Sequence, residues 1–122
     1  MRGGDRQSIG LWGEEQAGAY LVRQGYRIEA ARFRCREGEI DLVASGGGFL
    51  CFVEVKLRRD ASMGEAREYV TRSKQRKVRT AALRYLALHP SSLQPRFDVV
   101  EVYAPQGMKT LRPVIRHWEN AF

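Results

Sequence analysis

The sequence predicts an α/β fold of the α+β kind: a central mixed β-sheet flanked by helices, with elements in the order α-β-β-β-α-β-β. Three observations carry this. Two stretches repeat apolar residues at helical spacing. Runs rich in strand formers follow each of them. A glycine triplet, Gly46–Gly48, separates two of those runs and forces one antiparallel pair into the sheet. At 122 residues the chain has material for one core and little to spare for a second.

Taken in order, residues 1–8 read as a flexible polar tail, and residues 9–122 as a single domain. From Ile9 to Gln24 a helical stripe places Gly13, Ala17, Tyr20 and Leu21 on one face, and Gly25 follows as a C-cap. "YRIEAARFR" suits an outer strand leading into "EGEIDLVAS"; the glycine turn and the strand "FLCFVEVK" come next. After a polar loop, "TRSKQRKVRTAALRYLALHP" is a second helix. Thr71 is its N-cap, Val78, Ala82, Tyr85 and Leu86 face inward, and Pro90 closes it. "RFDVVEVYA" and "LRPVIRHW" supply the late strands, and "HWENAF" a closing turn.

The charge balance narrows the partners. Lys and Arg number 21 against 14 Asp and Glu, a net +7, which favours polyanions: nucleic acid first, anionic membrane second. The N-terminus has no apolar run of signal-peptide length and no segment is long enough to span a bilayer, so the expected compartment is the cytoplasm, with no membrane partner. Cys35 and Cys51 form no CxxC pair or Cys/His cluster for zinc, and read as bystanders. No Ser/His/Asp or Cys/His arrangement offers a nucleophile, and no glycine-rich loop has a P-loop's context. His89, at a helix end, and His117, near the last residue, read as capping or surface residues.

Four charges inside the central hairpin are the chemical signal: Glu39, Asp41, Glu54 and Lys56. With Gly46–Phe49 as a four-residue loop, Ser45 pairs with Leu50 and Val43 with Phe52. Asp41 then lies across from Glu54, and Glu39 across from Lys56, with Glu39, Asp41 and Val43 on one face. Like charges so placed destabilise a strand pair. The two carboxylates therefore need a cation, which is either Lys56 or a divalent metal. A hard ion such as Mg²⁺ takes one or two carboxylates plus waters and phosphate oxygens, and lowers the pKa of a bound water. Lys56, two residues beyond Glu54, would orient that water or stabilise transition-state charge. Acting as a base suits it less, because neighbouring carboxylates raise a lysine pKa. The plain alternative is a salt-bridge network.

Asp41…Glu54-Val55-Lys56 resembles the D…(D/E)xK signature of the restriction-endonuclease-like nucleases, although Ile40 stands where the signature nominally has proline. "GLWGEEQAGAYLVRQGY", "GEIDLV", "FVEVKLR", "KQRKV", "RFDVV" and the terminal "NAF" together resemble the YraN-like family of small bacterial proteins, from about Gly10 to Phe122. That resemblance implies a restriction-endonuclease-like core with the hairpin at the centre of the sheet. It implies Mg²⁺ or Mn²⁺ as cofactor, with Asp41, Glu54 and the Val55 carbonyl as ligands and Lys56 as a catalytic residue. Similarity to archaeal Holliday-junction resolvases adds Glu14 on the first helix as a further ligand; a first-turn acid favoured by the helix dipole is the alternative. Glu39 is left to pair with Lys56 or a neighbouring arginine.

The second helix begins with Arg72, Lys74, Gln75, Arg76, Lys77 and Arg79. With Arg58 and Arg59 beyond the second hairpin strand, and Arg34 and Arg36 before the first, these would make a cationic rim for phosphates; a solvated helix face is the alternative. Gln75 is also a candidate for the active site. Tyr26 and Phe33 read as core before they read as base-stacking residues, and Asp98 as the ion-pair partner of Arg96. The expected function is a metal-dependent nuclease that hydrolyses phosphodiester bonds, with DNA ahead of RNA and branched or structured DNA in view. The alternative is a nucleic-acid-binding protein that keeps the fold without cutting. A single active site nicks one strand, so cutting a junction or both strands asks for a homodimer.

Overall fold

The computed structural model describes residues 2–60 and 70–122, with side chains from Gln7 onward. Helix α1 (Arg2–Arg23) is followed by strands β1 (Arg27–Cys35), β2 (Gly38–Gly46) and β3 (Phe49–Arg58), helix α2 (Arg72–Leu88), and strands β4 (Gln94–Tyr103) and β5 (Val114–Trp118). This is the expected order. The helix begins at Arg2, where the sequence reading starts it at Ile9, and the loop expected between β3 and α2 falls on residues 61–69, outside the described residues.

The strands lie side by side in chain order, β1-β2-β3-β4-β5. Every neighbouring pair is antiparallel except β3 and β4, which run parallel from Phe49↔Gln94 to Arg58↔Tyr103. Tight turns join β1 to β2 and β2 to β3, and a ten-residue connection with a short 3-10 turn at Gly107–Lys109 joins β4 to β5, whereas the parallel pair needs a crossover, and α2 supplies it. The sheet is therefore mixed, with β3 in the middle and a helix on each face.

Alternation along the strands sorts the core into two layers. On the α1 side, Ala17 and Leu21 meet Leu42, Ala44, Cys51, Val53, Val100 and Val102. On the α2 side, Val78, Ala81, Ala82 and Tyr85 meet Ile40, Val43, Leu50 and Phe52. The α1 stripe and most of the α2 stripe are those expected. Leu86 is only partly buried, and Ala81 takes a fully buried place instead. Phe33 and Tyr26 are core-facing, as expected.

The caps follow the residue chemistry. Gly25, at φ 96, ends α1: its N–H donates to the Val22 carbonyl and the Tyr26 N–H to the Leu21 carbonyl, a Schellman arrangement that satisfies two terminal acceptors. Thr71 caps α2 through Oγ1, which accepts from the Lys74 N–H at 3.2 Å, and His89 is the C-cap. The β2–β3 hairpin is tighter than expected. Gly46 pairs with Phe49, leaving only Gly47 and Gly48 in the turn, at φ 60 and φ 86. Two consecutive positive φ values make a turn whose twist matches the strands, and two glycines adopt it without strain.

Two buried polar networks close the C-terminal half. Asp98, fully buried, accepts from Arg96 Nε at 2.9 Å, Arg96 Nη2 at 2.8 Å and the Asn120 N–H at 3.0 Å, and lies 2.7 Å from His117 Nε2. Burial alone would raise the Asp98 pKa; His117, Arg96 and the Asn120 N–H outweigh it and hold the carboxyl below its usual value. The Arg96 pairing is the one expected, but His117 is not a surface residue: Asp98 draws it inward, and its side chain is 7% exposed. On the opposite face Glu101, also fully buried, accepts from Arg58, Tyr103 Oη and Trp118 Nε1.

Candidate functional site

The β2–β3 ladder holds the expected register only as far as Leu42↔Val53. The expected face-to-face pairing of Asp41 with Glu54 is not made, because β2 changes course at Asp41. Ile40 and Val43 both pack on the α2 layer while Leu42 packs on the α1 layer, so strict alternation breaks there. Beyond the break the Asp41 side chain takes the ladder's place: Oδ2 accepts the Val55 N–H at 2.8 Å. A short carboxylate competes well with a backbone carbonyl for such a donor. The fork between β2 and β3 opens a cleft of about 540 Å³ against the first turns of α2, and Asp41, Glu54, Lys56, Lys74 and Lys77 all line it.

Glu54 is buried, and its Oε2 lies 3.0 Å from Lys74 Nζ. Burial, then the Asp41 charge, pushes its pKa up to about 7, while Lys74 acts in the opposite direction. Burial also raises the Asp41 pKa, helped by Glu39 and opposed by the Val55 N–H. Burial works against the Lys74 ammonium, but Glu54 and Asp41 outweigh it and raise its pKa. The site is thus two crowded carboxylates and a recruited cation. The lysine placed on Glu54 is Lys74 from α2; Lys56 is exposed on the same side of β3.

Glu14 does not join this pair directly. Its Oε1 lies 3.3 Å from Arg32 Nε, in an adjoining cleft. Burial and the Asp41 charge both raise its pKa, with Arg32 opposing. Glu39 is not across from Lys56: Oε2 lies 3.4 Å from Arg34 Nε, which settles its pairing on the neighbouring arginine. Among the described residues no group of three His, Cys, Asp or Glu side chains is close enough to hold a metal ion. The pair Asp41 and Glu54 alone fits a hard divalent cation in its donor chemistry: carboxylate oxygens, crowded enough to favour added positive charge, in a cleft with room for waters and a phosphate.

The expected rim divides. Arg34, Arg36, Arg59, Arg72, Arg76 and Lys77 are exposed. Arg58 is not on it: at 3% exposure it lies inside, drawn there by the fully buried Glu101 carboxylate. Gln75 donates its side-chain amide to the Val70 carbonyl at 3.0 Å and does not line the cleft. Arg79 lies over the Phe97 and Phe122 rings. Sequence reasoning missed Arg32 and Glu101. Arg32 had a weak signal, an arginine inside a strand opposite Asp41; Glu101 had none beyond being a charge in an apolar run.

Residues 13–102 match the model of the Uncharacterised protein family UPF0102. This chain belongs to the UPF0102 family. A UPF0102 protein of Pelobacter propionicus is 46% identical over 123 residues, covering 97% of this chain and 84% of that protein. One from Nocardia farcinica is 43% identical over 99% of this chain and 94% of its own length. Another, from Caldanaerobacter subterraneus, is 39% identical over the whole of both. The family match agrees with the YraN-like words read from the sequence. The UPF0102 segment spans α1 from Gly13 to most of β4, and so includes Glu14, Asp41, Glu54, Lys56 and Lys74. Among the described residues no helix is long and apolar enough to cross a membrane.

Proposed function

We propose that this UPF0102 protein is a metal-dependent nuclease that hydrolyses phosphodiester bonds, with DNA ahead of RNA as substrate. The observation that carries the reading is the cleft at the β2–β3 fork, where Asp41 and Glu54 are crowded and half-desolvated beside three lysines. Asp41 and Glu54 would hold Mg²⁺ or Mn²⁺, with the Val55 carbonyl as the third expected donor. Bound there, the ion would acidify a water and offset phosphate charge.

The chain's own residues have distinct tasks in this reading. Asp41 is fixed by the Val55 N–H, so its second oxygen is presented at a constant position. Glu54 stands rigid on the central strand. Lys56, on the same side of β3, orients the attacking water and stabilises charge on the phosphoryl oxygens. Lys74, half exposed beside Glu54, would meet the substrate phosphate together with Lys77. Arg36, Arg59, Arg72 and Arg76, all exposed, hold the flanking backbone.

A second reading has its own observation. Lys74 already neutralises Glu54, so the same cleft serves a protein that binds nucleic acid without cutting. The two separate on incubation with Mn²⁺ and fluorescent single-stranded, duplex, flap and four-way-junction DNA, and matched RNA, beside Asp41→Asn and Lys56→Ala. Cleavage lost in both variants supports the nuclease. Binding without cleavage throughout supports the second reading.

A further inference from the structure

The carboxylate cleft has a neighbour. A second cleft of about 400 Å³ lies between α1 and the β1–β2 pair, and Glu39 lines both. Its walls carry Arg32 and Arg34, each held by one carboxylate through Nε: Arg32 by Glu14 at 3.3 Å and Arg34 by Glu39 at 3.4 Å. A guanidinium held at Nε keeps terminal amino groups for a further acceptor, and its planar fork matches a phosphate. Among the described residues, no other carboxylate pairs with either arginine.

Arg32 is held in a costly backbone conformation. Its φ is 51; among the described residues the other non-glycine residue with positive φ is Asn120, a type that tolerates it. For arginine this costs roughly 1–2 kcal/mol, and such strain gathers at ligand clamps. The register Ala31↔Leu42 and Phe33↔Ile40 sets Arg32 opposite Asp41. Both strands change faces at that level: Ala30 and Phe33 pack on the α2 layer, as do their partners Val43 and Ile40. One twist of the hairpin therefore delivers Asp41 to the first cleft and Arg32 to the second.

We propose that Arg32 and Arg34 form a second phosphate-binding subsite. The two adjoining clefts then take a polynucleotide strand, with one phosphate at Asp41 and Glu54 and a neighbouring phosphate between the arginines. This rests on the reading of the first cleft as a phosphodiester site, and it names the substrate class: an internal bond of a strand, with a flanking phosphate required, in preference to a mononucleotide or a terminal phosphate. Glu14 and Glu39 are then positioning residues that aim the two guanidinium groups.

The test is a fluorescence-anisotropy titration of the full chain with a labelled single-stranded oligonucleotide across a salt series. The variants are Arg32→Asn/Arg34→Gln and, as a charge-matched control, Arg23→Gln/Arg27→Gln on exposed positions away from the cleft. Asparagine tolerates the left-handed backbone, so the fold is expected to survive, and circular dichroism melting checks it. The first variant is expected to lose about ten-fold in affinity, with a salt slope shallower by about 0.7, the release expected for one single-strand phosphate contact. Its Mn²⁺ affinity by calorimetry should be unchanged. Equal losses in the control, or an unchanged slope in the first variant, overturn the second subsite and leave the first cleft standing. No binding by the unaltered protein overturns both.

Discussion

Lys74 Nζ lies 3.0 Å from Glu54 Oε2, and the contact ties the first turn of α2 to the central strand. It joins unequal partners. The Glu54 side chain is 8% exposed, while that of Lys74 is 52% exposed and can swing into solvent. The pair therefore supplies a cation that is easily displaced to a carboxylate that cannot move far.

The stability curve should reveal the strain at Glu54. Burial and then Asp41 raise its pKa to about 7 from an ordinary 4.5, so the folded state holds its proton more tightly than the unfolded state. The associated stability is fully present below about pH 4.5 and is lost as pH rises through about 7. The whole shift corresponds to on the order of 3 kcal/mol. Glu54→Gln removes the titration. It should melt several degrees above the unaltered protein at pH 8, with little gain at pH 4.5. Equal melting temperatures at both pH values would show that the carboxylate is not strained.

Metal binding should carry a proton signature. A coordinating carboxylate must be deprotonated, and near pH 7 Glu54 is about half protonated. Mn²⁺ titrated into the protein by calorimetry should therefore release roughly half a proton, seen as heats that vary with the buffer's ionisation enthalpy. Saturating metal should also raise the melting temperature, by the equivalent of about 2.7 kcal/mol at a hundred-fold excess over Kd. Asp41→Asn should remove most of both effects. A melting temperature and heats that ignore Mn²⁺ would sink the metal reading while leaving the nucleic-acid reading intact.

Local pattern made much of this legible. The helical stripes, Gly25, Thr71 and the strand runs are short-range signals, and apart from Leu86 and the start of α1 they appear where the residues put them. The hairpin register was also legible through Val43↔Phe52 and Ser45↔Leu50. Period-two counting could not foresee the turn of β2 at Asp41, because that break depends on Val55, across the strand gap, and on Arg32, which twists with it. The sequence places Lys74 on the rim and not on Glu54, since only the docking of α2 sets that distance. Arg58 and His117 were misread for one reason: a charge goes inside only when its partner is there, and Glu101 and Asp98 lie far off in sequence.

Arg58 and Arg59 offer a sharp contrast between adjacent residues. Arg58 is buried against Glu101, whereas Arg59 is exposed. Arg58→Ala strands a buried carboxylate, for which the cost is about 3–5 kcal/mol. Arg59→Ala should stay within about 0.5 kcal/mol. Urea denaturation should separate them, with only Arg58→Ala moving the midpoint substantially. Arg59→Ala should instead weaken nucleic-acid binding. Two variants of equal stability would mean that the Arg58–Glu101 pair contributes no more than a surface contact.

Gly38 sets how closely α2 approaches the cleft. A Cβ placed on it would stand 3.1 Å from the Lys77 carbonyl oxygen and 3.2 Å from Lys77 Cβ, so the nearest obstacle includes helix backbone, which yields little. Gly38 also lines the cleft beside Glu39 and Asp41. Gly38→Ala should therefore push the first turns of α2 outward and destabilise the fold by about 1–3 kcal/mol, as overpacking does. The same movement should loosen Lys74 from Glu54. Glu54 would lose the charge that lowers its pKa, and its titration, followed by carboxyl NMR shifts, should move upward from about 7. A destabilised variant with an unmoved Glu54 titration would show that the helix yields without disturbing the site.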